Sequence, residues 1–433
     1  MKFGILYEMQ SPRPWDGGSD QRKFAEALDQ IELADRIGID YVWAVEHHFL
    51  EEYSHSSAPE VLLGAVTQRT KNIRLGHGIT LTSPRINHPA RLAERISTLD
   101  VLSGGRVEWG TGEGSTAIEL EAFGIPYDEK RAMWEEGARE AANMMALDPY
   151  PGCRGTYFTM PCRSVVPKPL QRPHPPMWLA CARRESIRRA ALNGLGALVF
   201  GFVEPEEAAG WVREYYDIIR SDACVPAGHT VNANVAALCG FSVHEDGQVA
   251  VGRVASGFGF FGYGLGHVWT FGEHRPGRTD LWGEFKRAED RIPFHPEQGA
   301  IGDPATVTDQ LARYERAGVD QVILLQAVGH NRHEHICESL ELFGRDILPP
   351  FRARDVLAQA RKDESLEGHF AAARDRRARL TRYPRSEDIP VIRAAARQEA
   401  LRDRLVPPEG EIGGGLPMLH ESPGAARPGQ DSG

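Results

Sequence analysis

Three segments of the chain carry side chains that could do chemistry, and each follows a run of residues typical of a β-strand. The first is Glu46-His47-His48-Phe49, which supplies two adjacent imidazoles. Neighbouring side chains on a strand point to opposite faces, so at most one of the two imidazoles can enter a shared cavity. Because an imidazole titrates at about pH 6.5, that side chain suits acid–base chemistry near neutrality.

The second segment is rich in glycine. Gly78 and Ile79 follow one apolar run, and Gly112-Glu113-Gly114 follows the next. Glycine at two consecutive strand ends lets the backbone approach a ligand closely, and a flat ring system is the natural candidate.

The third segment combines positive charge with a hydroxyl group. Arg183, Arg184 and Ser186 stand at the start of a helical pattern. The free N–H groups of a helix N-terminus, together with these side chains, are suited to bind phosphate. Each segment also has a purely structural reading, as a turn or a helix cap. Their equivalent positions in one fold favour a site for a phosphorylated flat cofactor.

Two further patterns predict no site. Gly257–Gly262 matches GxGxxG, but it lacks the strand–turn–helix context of a dinucleotide-binding loop and indicates a flexible lid or tight packing. His330, His333 and His335 lack the i, i+4 spacing and the carboxylates of a metal centre, so we predict no metal site.

The elements that must position these residues alternate along the chain. Eight near-continuous apolar runs are separated by segments with helical periodicity, as expected of parallel strands buried on both faces. This rhythm favours an α/β fold of the (β/α)8 TIM-barrel type over residues 1–350, in which active sites lie at the carboxyl ends of the strands. A doubly wound open sheet is the alternative.

Two regions fall outside the rhythm. Residues 244–303 are rich in glycine and aromatic residues and are predicted to form an insertion, or lid, between the last two strands. Residues 351–406 are predicted to be a helix-prone charged extension, and 407–433 a disordered tail rich in glycine and proline. Seven aromatic residues could line an apolar pocket: Tyr157, Phe158, Phe260, Phe261, Tyr263, Trp269 and Trp282.

Composition excludes several classes of protein. The chain has 433 residues and a net charge of −10, which disfavours binding to nucleic acid or to an anionic membrane. Its 6 cysteines form no CxxC pair, and the N-terminus resembles no secretory signal. We therefore expect a cytoplasmic protein.

In addition, several motifs in a fixed order resemble the bacterial luciferase-like, flavin-dependent monooxygenases. The resemblance covers about residues 2–350. The motifs are Glu46–Phe49, Leu75–Leu81, His88–Glu94, Thr98–Arg106, Gln171–Pro176 and Gly318–Val322. The family fold is the (β/α)8 barrel.

The resemblance implies roles for individual residues. His47 matches the histidine beside the reactive edge of the flavin, and Gly78–Ile79 matches a non-prolyl cis peptide bond that supports the flavin ring. Arg183, Arg184 and Ser186 match the phosphate-binding turn.

Two positions depart from the family pattern. Gly112 and Glu113 stand where luciferases carry a reactive cysteine and an arginine. The missing arginine would have to be replaced by Arg183 or Arg184, and light emission is not implied.

The function implied is a two-component monooxygenase acting as a homodimer. A separate reductase supplies reduced FMN, which reacts with O2 to form a C4a-(hydro)peroxyflavin that oxygenates an apolar or carbonyl-bearing organic substrate. Two alternatives remain: a deazaflavin F420-dependent dehydrogenase or reductase, favoured by Arg183, Arg184, Arg188 and Arg189, and a non-catalytic flavin-binding subunit.

Overall fold

The computed structural model describes residues 1–392 of the chain, so the predicted tail over 407–433 lies outside the described residues. Met1–Pro384 form one compact unit. Beyond it, the described residues contain a single 3-10 turn, Ser386–Asp388.

The centre of the compact unit is a closed parallel barrel, as the sequence predicted. Its eight strands follow the order β1-β2-β3-β4-β7-β8-β9-β11, and β11 pairs with β1 to close the ring. The strands of the chain are β1 (Lys2–Tyr7), β2 (Tyr41–Ala44), β3 (Arg74–Leu81), β4 (Val107–Gly112), β5 (Cys153–Arg154), β6 (Thr159–Met160), β7 (Met177–Cys181), β8 (Gly196–Val199), β9 (Val235–Val243), β10 (Ala300–Gly302) and β11 (Gln321–Leu325).

Helices surround the barrel, and residue types suited to helix ends stand at two of their boundaries. The α1 helix ends at Gly38, which has a φ of 94° that favours glycine, and α10 begins after Asp303, whose carboxylate accepts the N–H of Thr306. The helices are α1 (Ser19–Ile37), α2 (Pro59–Arg69), α3 (Pro89–Ser103), α4 (Ala117–Ala122), α5 (Lys130–Ala146), α6 (Arg184–Leu192), α7 (Pro205–Arg220), α8 (Gly247–Gly266), α9 (Leu281–Ala288), α10 (Pro304–Arg316), α11 (His333–Leu342) and α12 (Leu348–Leu380).

The insertion lies between β9 and β11, the last two barrel strands. It contains α8, a π-helical turn at His267–Phe271, and α9. Phe260 and Phe261 of α8 are buried in the same apolar cluster as Trp43 and Trp178 of the barrel interior. The insertion is therefore continuous with the core.

The charged extension begins as α12, which packs under the amino-terminal ends of the barrel strands. Phe351, Leu366 and Ala373 are buried, and they anchor a helix that is otherwise largely polar. Lys362 Nζ lies 2.8 Å from Asp320 Oδ1, directly before β11. A few apolar contacts and ion pairs thus dock a segment whose composition alone indicated little core. Within residues 1–392, no helix is long and apolar enough to cross a membrane.

Candidate active site

The candidate site lies at the carboxyl ends of the strands and is centred on His47, three residues beyond β2. Both ring nitrogens of His47 face carboxylates: Nδ1 is 3.0 Å from Oε1 of Glu119, and Nε2 is 3.3 Å from Oε1 of Glu8. The His47 side chain is 18% exposed, so solvent or a ligand can still reach it. The imidazole therefore lies between two acids at the barrel mouth.

Glu119 belongs to α4, which follows β4, so the connection after β4 reaches past β3 to His47. The same Oε1 accepts the backbone N–H of His48 at 3.0 Å, and Oε2 accepts the hydroxyl of Thr116 at 2.6 Å. Thr116 in turn accepts the backbone N–H of Glu119, which completes a helix cap. Glu119 was not predicted as a site residue from the sequence. Its only signal was the Thr-x-x-Glu capping box, which marks a helix start but not a partner.

Glu8 directly follows β1, and its side chain is 6% exposed. Its backbone carbonyl accepts the Ser54 hydroxyl at 2.7 Å, which holds this turn of the chain in place. Glu8, too, was not predicted as a site residue from the sequence. The available signal was a lone acid at the carboxyl end of an apolar strand.

These contacts shift the protonation of the cluster. Burial opposes the charged form of His47, but the hydrogen bond to Glu119 and the charge of Glu8 outweigh it and raise the pKa of His47 to about 9. Burial raises the pKa of Glu8 to about 7, although His47 opposes this shift. Burial also disfavours the Glu119 carboxylate, yet its hydrogen bond with His47 and its other contacts lower its pKa overall.

The side chain of His48 has a different partner from that of His47, as expected for neighbouring residues of an extended segment. Its Nε2 lies 3.2 Å from Oε1 of Glu46, and the other oxygen of Glu46 accepts the backbone N–H of Leu81 at 2.9 Å. His48 and Glu46 therefore tie the end of β2 to the end of β3.

Gly78 and Ile79 lie at an irregularity of the sheet. The β3–β4 register shifts between His77 and Thr80. The predicted cis bond at Gly78–Ile79 is wrong, because the four cis bonds among residues 1–392 all precede proline. A register shift, and not a cis peptide, changes the path of the chain here.

Glycines of β4 make room for this irregularity. A Cβ at Gly110 would lie 2.0 Å from the His77 carbonyl oxygen, and one at Gly112 would lie 2.3 Å from Cδ1 of Ile79. Ile79 itself is only partly buried. Because these two positions have no side chain, β3 can approach β4 closely and the Ile79 side chain can pack over Gly112. The partly buried Ile79 then forms an apolar surface at the barrel mouth.

The predicted phosphate turn lies at the N-terminus of α6, after β7. Ser186 Oγ accepts the N–H of Arg183 at 3.2 Å and donates to its carbonyl at 2.6 Å, so this hydroxyl caps the helix. Arg184 Nε lies 2.6 Å from Oε2 of Glu214. Arg183 is exposed and makes no ion pair within residues 1–392.

Between Glu113 and this turn lies an arginine, Arg131, that was not predicted as a site residue from the sequence. Arg131 of α5 lies 3.8 Å from Glu113 and 3.7 Å from Glu185, measured between nitrogen and oxygen atoms. Arg131 is half exposed, and it brings positive charge to the loop from which the motif comparison had found an arginine missing.

This geometry agrees with a family comparison. The model of the luciferase-like monooxygenases matches residues 1–321. The chain belongs to this family. The resemblance inferred from the ordered motifs is thereby confirmed.

Individual relatives differ in how much of the chain they match. An uncharacterized protein, y4wF, from Sinorhizobium fredii is 36% identical over 54% of this luciferase-like chain, a match that covers 64% of that relative's length. The oxygenase component of a flavin-dependent trigonelline monooxygenase from Acinetobacter baylyi is 26% identical, over 82% of this chain and 97% of that protein.

Solved structures show the same fold. Monooxygenase RslO1 from Streptomyces bottropensis has a TM-score of 0.67 at 27% identity, covering 81% of this chain and 100% of that one. The coenzyme F420 dependent tetrahydromethanopterin reductase from Methanopyrus kandleri has a TM-score of 0.59 at 20% identity, covering 81% and 99%. Proteins with this barrel fold therefore include a monooxygenase and a coenzyme F420 dependent reductase.

In this luciferase-like chain two adjacent carboxylates, which follow β2, accept hydrogen bonds from the backbone of the insertion. Glu52, whose side chain is 1% exposed, accepts the backbone N–H groups of Leu281 at 2.7 Å and Trp282 at 3.0 Å. Glu51 accepts the N–H of Gly277 at 2.7 Å. We call Glu51 and Glu52 the carboxylate latch. Arg13 contacts both of its members.

The insertion also brings aromatic side chains to His47. The ring centroid of Trp269 lies 6.3 Å from that of His47 and 5.9 Å from that of Tyr53. Phe261 lies 6.0 Å from Tyr53. Of the seven aromatic residues expected at a pocket, Phe158 instead contacts His88, 5.5 Å away on the outer helical layer.

Proposed function

We propose that the protein is an FMN-dependent monooxygenase that uses FMN reduced by a separate reductase, together with O2, to oxygenate an apolar or carbonyl-bearing organic substrate. One observation carries the proposal: at the barrel mouth of a luciferase-like monooxygenase, a partly exposed imidazole, His47, is held between Glu8 and Glu119. This arrangement suits proton transfer next to a bound ring.

The residues at the mouth fit a phosphorylated flavin. Ile79, framed by Gly78 and Gly112, offers an apolar surface for a ring, and the loop Glu113–Gly114 continues this edge. Arg183, unpaired at the α6 N-terminus, is the principal phosphate ligand that we propose, with Arg184 and Ser186 contributing the rest of the turn. When bound, the reduced flavin supplies the electrons that activate O2.

The protein's own residues have two tasks in this proposal. His47 holds or releases a proton at Nε2, the nitrogen not bonded to Glu119. Tyr53, Phe261 and Trp269 exclude water from the ring while the carboxylate latch keeps the insertion closed.

The F420 alternative depends on free positive charge beyond Ser186, because F420 carries a longer acidic tail. Three of the arginines there are already engaged in ion pairs: Arg184 and Arg188 both pair with Glu214, and Arg189 pairs with Glu185. This pairing favours FMN. The non-catalytic alternative is disfavoured by the two carboxylates that hold His47.

Oxygen incorporation tests the proposal. We would mix the protein with photoreduced FMN, 18O2 and a panel of aliphatic and aromatic aldehydes and ketones, and analyse products by mass spectrometry. We expect one 18O atom in a product, and a loss on the order of 10²-fold in rate for His47→Gln. His295→Gln, at an exposed histidine, is the matched control.

A parallel titration with reduced F420 decides between the cofactors. Hydride transfer with F420 and no 18O incorporation with FMN would replace the monooxygenase proposal by the F420 alternative. Binding of FMN without 18O incorporation, together with no hydride transfer from F420, would leave the non-catalytic flavin-binding subunit.

Homodimerisation also stays a prediction, as does a cytoplasmic location. Exposed apolar side chains on the outer helices include Val61 on α2 and Val101 and Leu102 on α3. Light scattering on the purified protein, with Val61→Glu as the variant, would measure the oligomeric state.

A further inference from the structure

The environment of Glu8 contains an unusual combination of burial and missing partners. Its side chain is 6% exposed, and Oε1 accepts no hydrogen bond within residues 1–392. The nearest positive group is Nε2 of His47, at 3.3 Å. A buried carboxylate without partners is costly, so a proton shared with the imidazole would stabilise it.

The other groups facing this pair add negative charge. Glu119 of α4 contacts the opposite nitrogen of His47, and Glu46, which lies in the segment after β2, contributes a second charge to the imidazole. Tyr53 and Trp269 pack against the His47 ring from the loop after β2 and from the insertion, and neither is charged at neutral pH. Three carboxylates therefore lie around one imidazole, and protonation of one carboxylate would reduce the excess of negative charge.

We propose that Glu8 is a positioning residue that exchanges a proton with His47 and so sets the protonation state of His47 during turnover. This inference rests on the proposed function. In the step, the Nε2–H bond of His47 breaks and an Oε1–H bond forms on Glu8. The imidazolium–carboxylate pair becomes a neutral imidazole and a neutral acid. The freed lone pair on Nε2 can then accept a proton from a molecule bound at the mouth.

Electrostatics of the free protein agree with this geometry. Because burial raises the pKa of Glu8 to about 7 while the pKa of His47 is raised to about 9, Glu8 is the member of the pair that titrates near neutrality. Glu119 keeps its charge over this range, since its pKa is lowered.

The test is an NMR titration of the full chain labelled with 15N-histidine, which requires no cofactor. The His47 signals are assigned by their absence in His47→Gln. In the wild type we expect the Nε2 shift to show an inflection near pH 7, where Glu8 ionises. In Glu8→Gln this inflection should vanish, and the pKa of His47 should fall by about one unit or more because one carboxylate is lost.

Two further variants separate this role from a structural one. Glu8→Asp retains a carboxylate and should restore an inflection, whereas Glu121→Gln, on the exposed side of α4, should leave the titration unchanged. Circular dichroism checks that each variant folds. If Glu8→Gln does not fold, the test relies on Glu8→Asp, in which the inflection of the His47 Nε2 shift should occur at a different pH from that of the wild type. The inference would be overturned if the inflection near pH 7 persisted in Glu8→Gln. It would also be overturned if Glu8→Asp showed the inflection at the same pH as the wild type.

The titration also distinguishes this inference from the proposed function. If the His47 titration gives the expected results but no 18O is incorporated, the monooxygenase proposal is rejected and the proton exchange between Glu8 and His47 stands. If 18O is incorporated but the His47 titration is the same in Glu8→Gln as in the wild type, only the proton exchange is rejected.

Discussion

Glu119 binds His47 across the end of strand β3, with Oε1 of the carboxylate 3.0 Å from Nδ1 of the imidazole. The two residues are 72 positions apart in the chain, and the contact joins the segment after β2 to the helix after β4. It sets the orientation of the ring, because Nδ1 is engaged and only Nε2 faces Glu8 and the mouth. The proposed acid–base chemistry depends on this orientation.

Replacing Glu119 by Gln should lower the pKa of His47, since its hydrogen bond and negative charge raise that pKa. We expect a fall of about one to two units by NMR titration and a loss of about 10-fold in oxygenation rate. The matched control is Glu121→Gln on the same helix. An unchanged His47 pKa would show that Glu119 does not hold the charged imidazole.

Loss of the carboxylate latch should open the insertion. Glu52→Gln removes a buried negative charge that accepts N–H groups of Leu281 and Trp282, each bond being worth about 2 kcal/mol. We expect faster limited proteolysis within residues 272–280, measured by mass spectrometry, and faster reoxidation of bound reduced FMN. Glu273→Gln, at an exposed glutamate of the same segment, should cleave like the wild type.

Arg183 and Arg184 should contribute unequally to cofactor binding. Arg183→Ala should weaken binding of reduced FMN about 10-fold in anaerobic fluorescence titrations, because it removes an unpaired cation from the α6 N-terminus. Arg184→Ala should have a smaller effect, since that guanidinium is already paired with Glu214. Riboflavin, which lacks the phosphate, should bind both variants and the wild type alike. Equal losses for FMN and riboflavin would contradict the phosphate assignment.

Stability should fall in mild acid through His174, near the docking site of α12. Its Nε2 accepts the N–H of His229 at 2.8 Å, so the ring must be neutral, and burial lowers its pKa to about 4. Because the folded pKa lies below the unfolded value, this contribution is present above about pH 6.5 and is lost as the pH falls towards 4.

For a shift of this size the linkage amounts to about 3 kcal/mol in the free energy of unfolding. Urea denaturation between pH 7 and pH 4 measures it. His174→Asn should be less stable at pH 7 and show a shallower dependence on pH, whereas His295→Gln should follow the wild type. If the free energy of unfolding of His174→Asn depended on pH as steeply as that of the wild type, groups other than His174 would cause the sensitivity to acid.

Features that local patterns determine were predicted correctly from the sequence. Alternating strand and helix patterns predicted the barrel, and ordered motifs indicated the family. These features depend on neighbouring residues and on periodicity, which are visible in one dimension.

The partners of His47, by contrast, were decided by tertiary structure. Glu8 and Glu119 come from different strand–helix units, and only the side-by-side pairing of strands β1 to β4, with α4 reaching past β3, brings both to one imidazole. The same holds for the carboxylate latch, in which Glu52 meets Leu281 229 positions later. The sequence determined which side chains stand at strand ends. The tertiary structure decided which of them meet, because contacts between distant segments depend on barrel closure and helix packing, and local residue patterns do not record either.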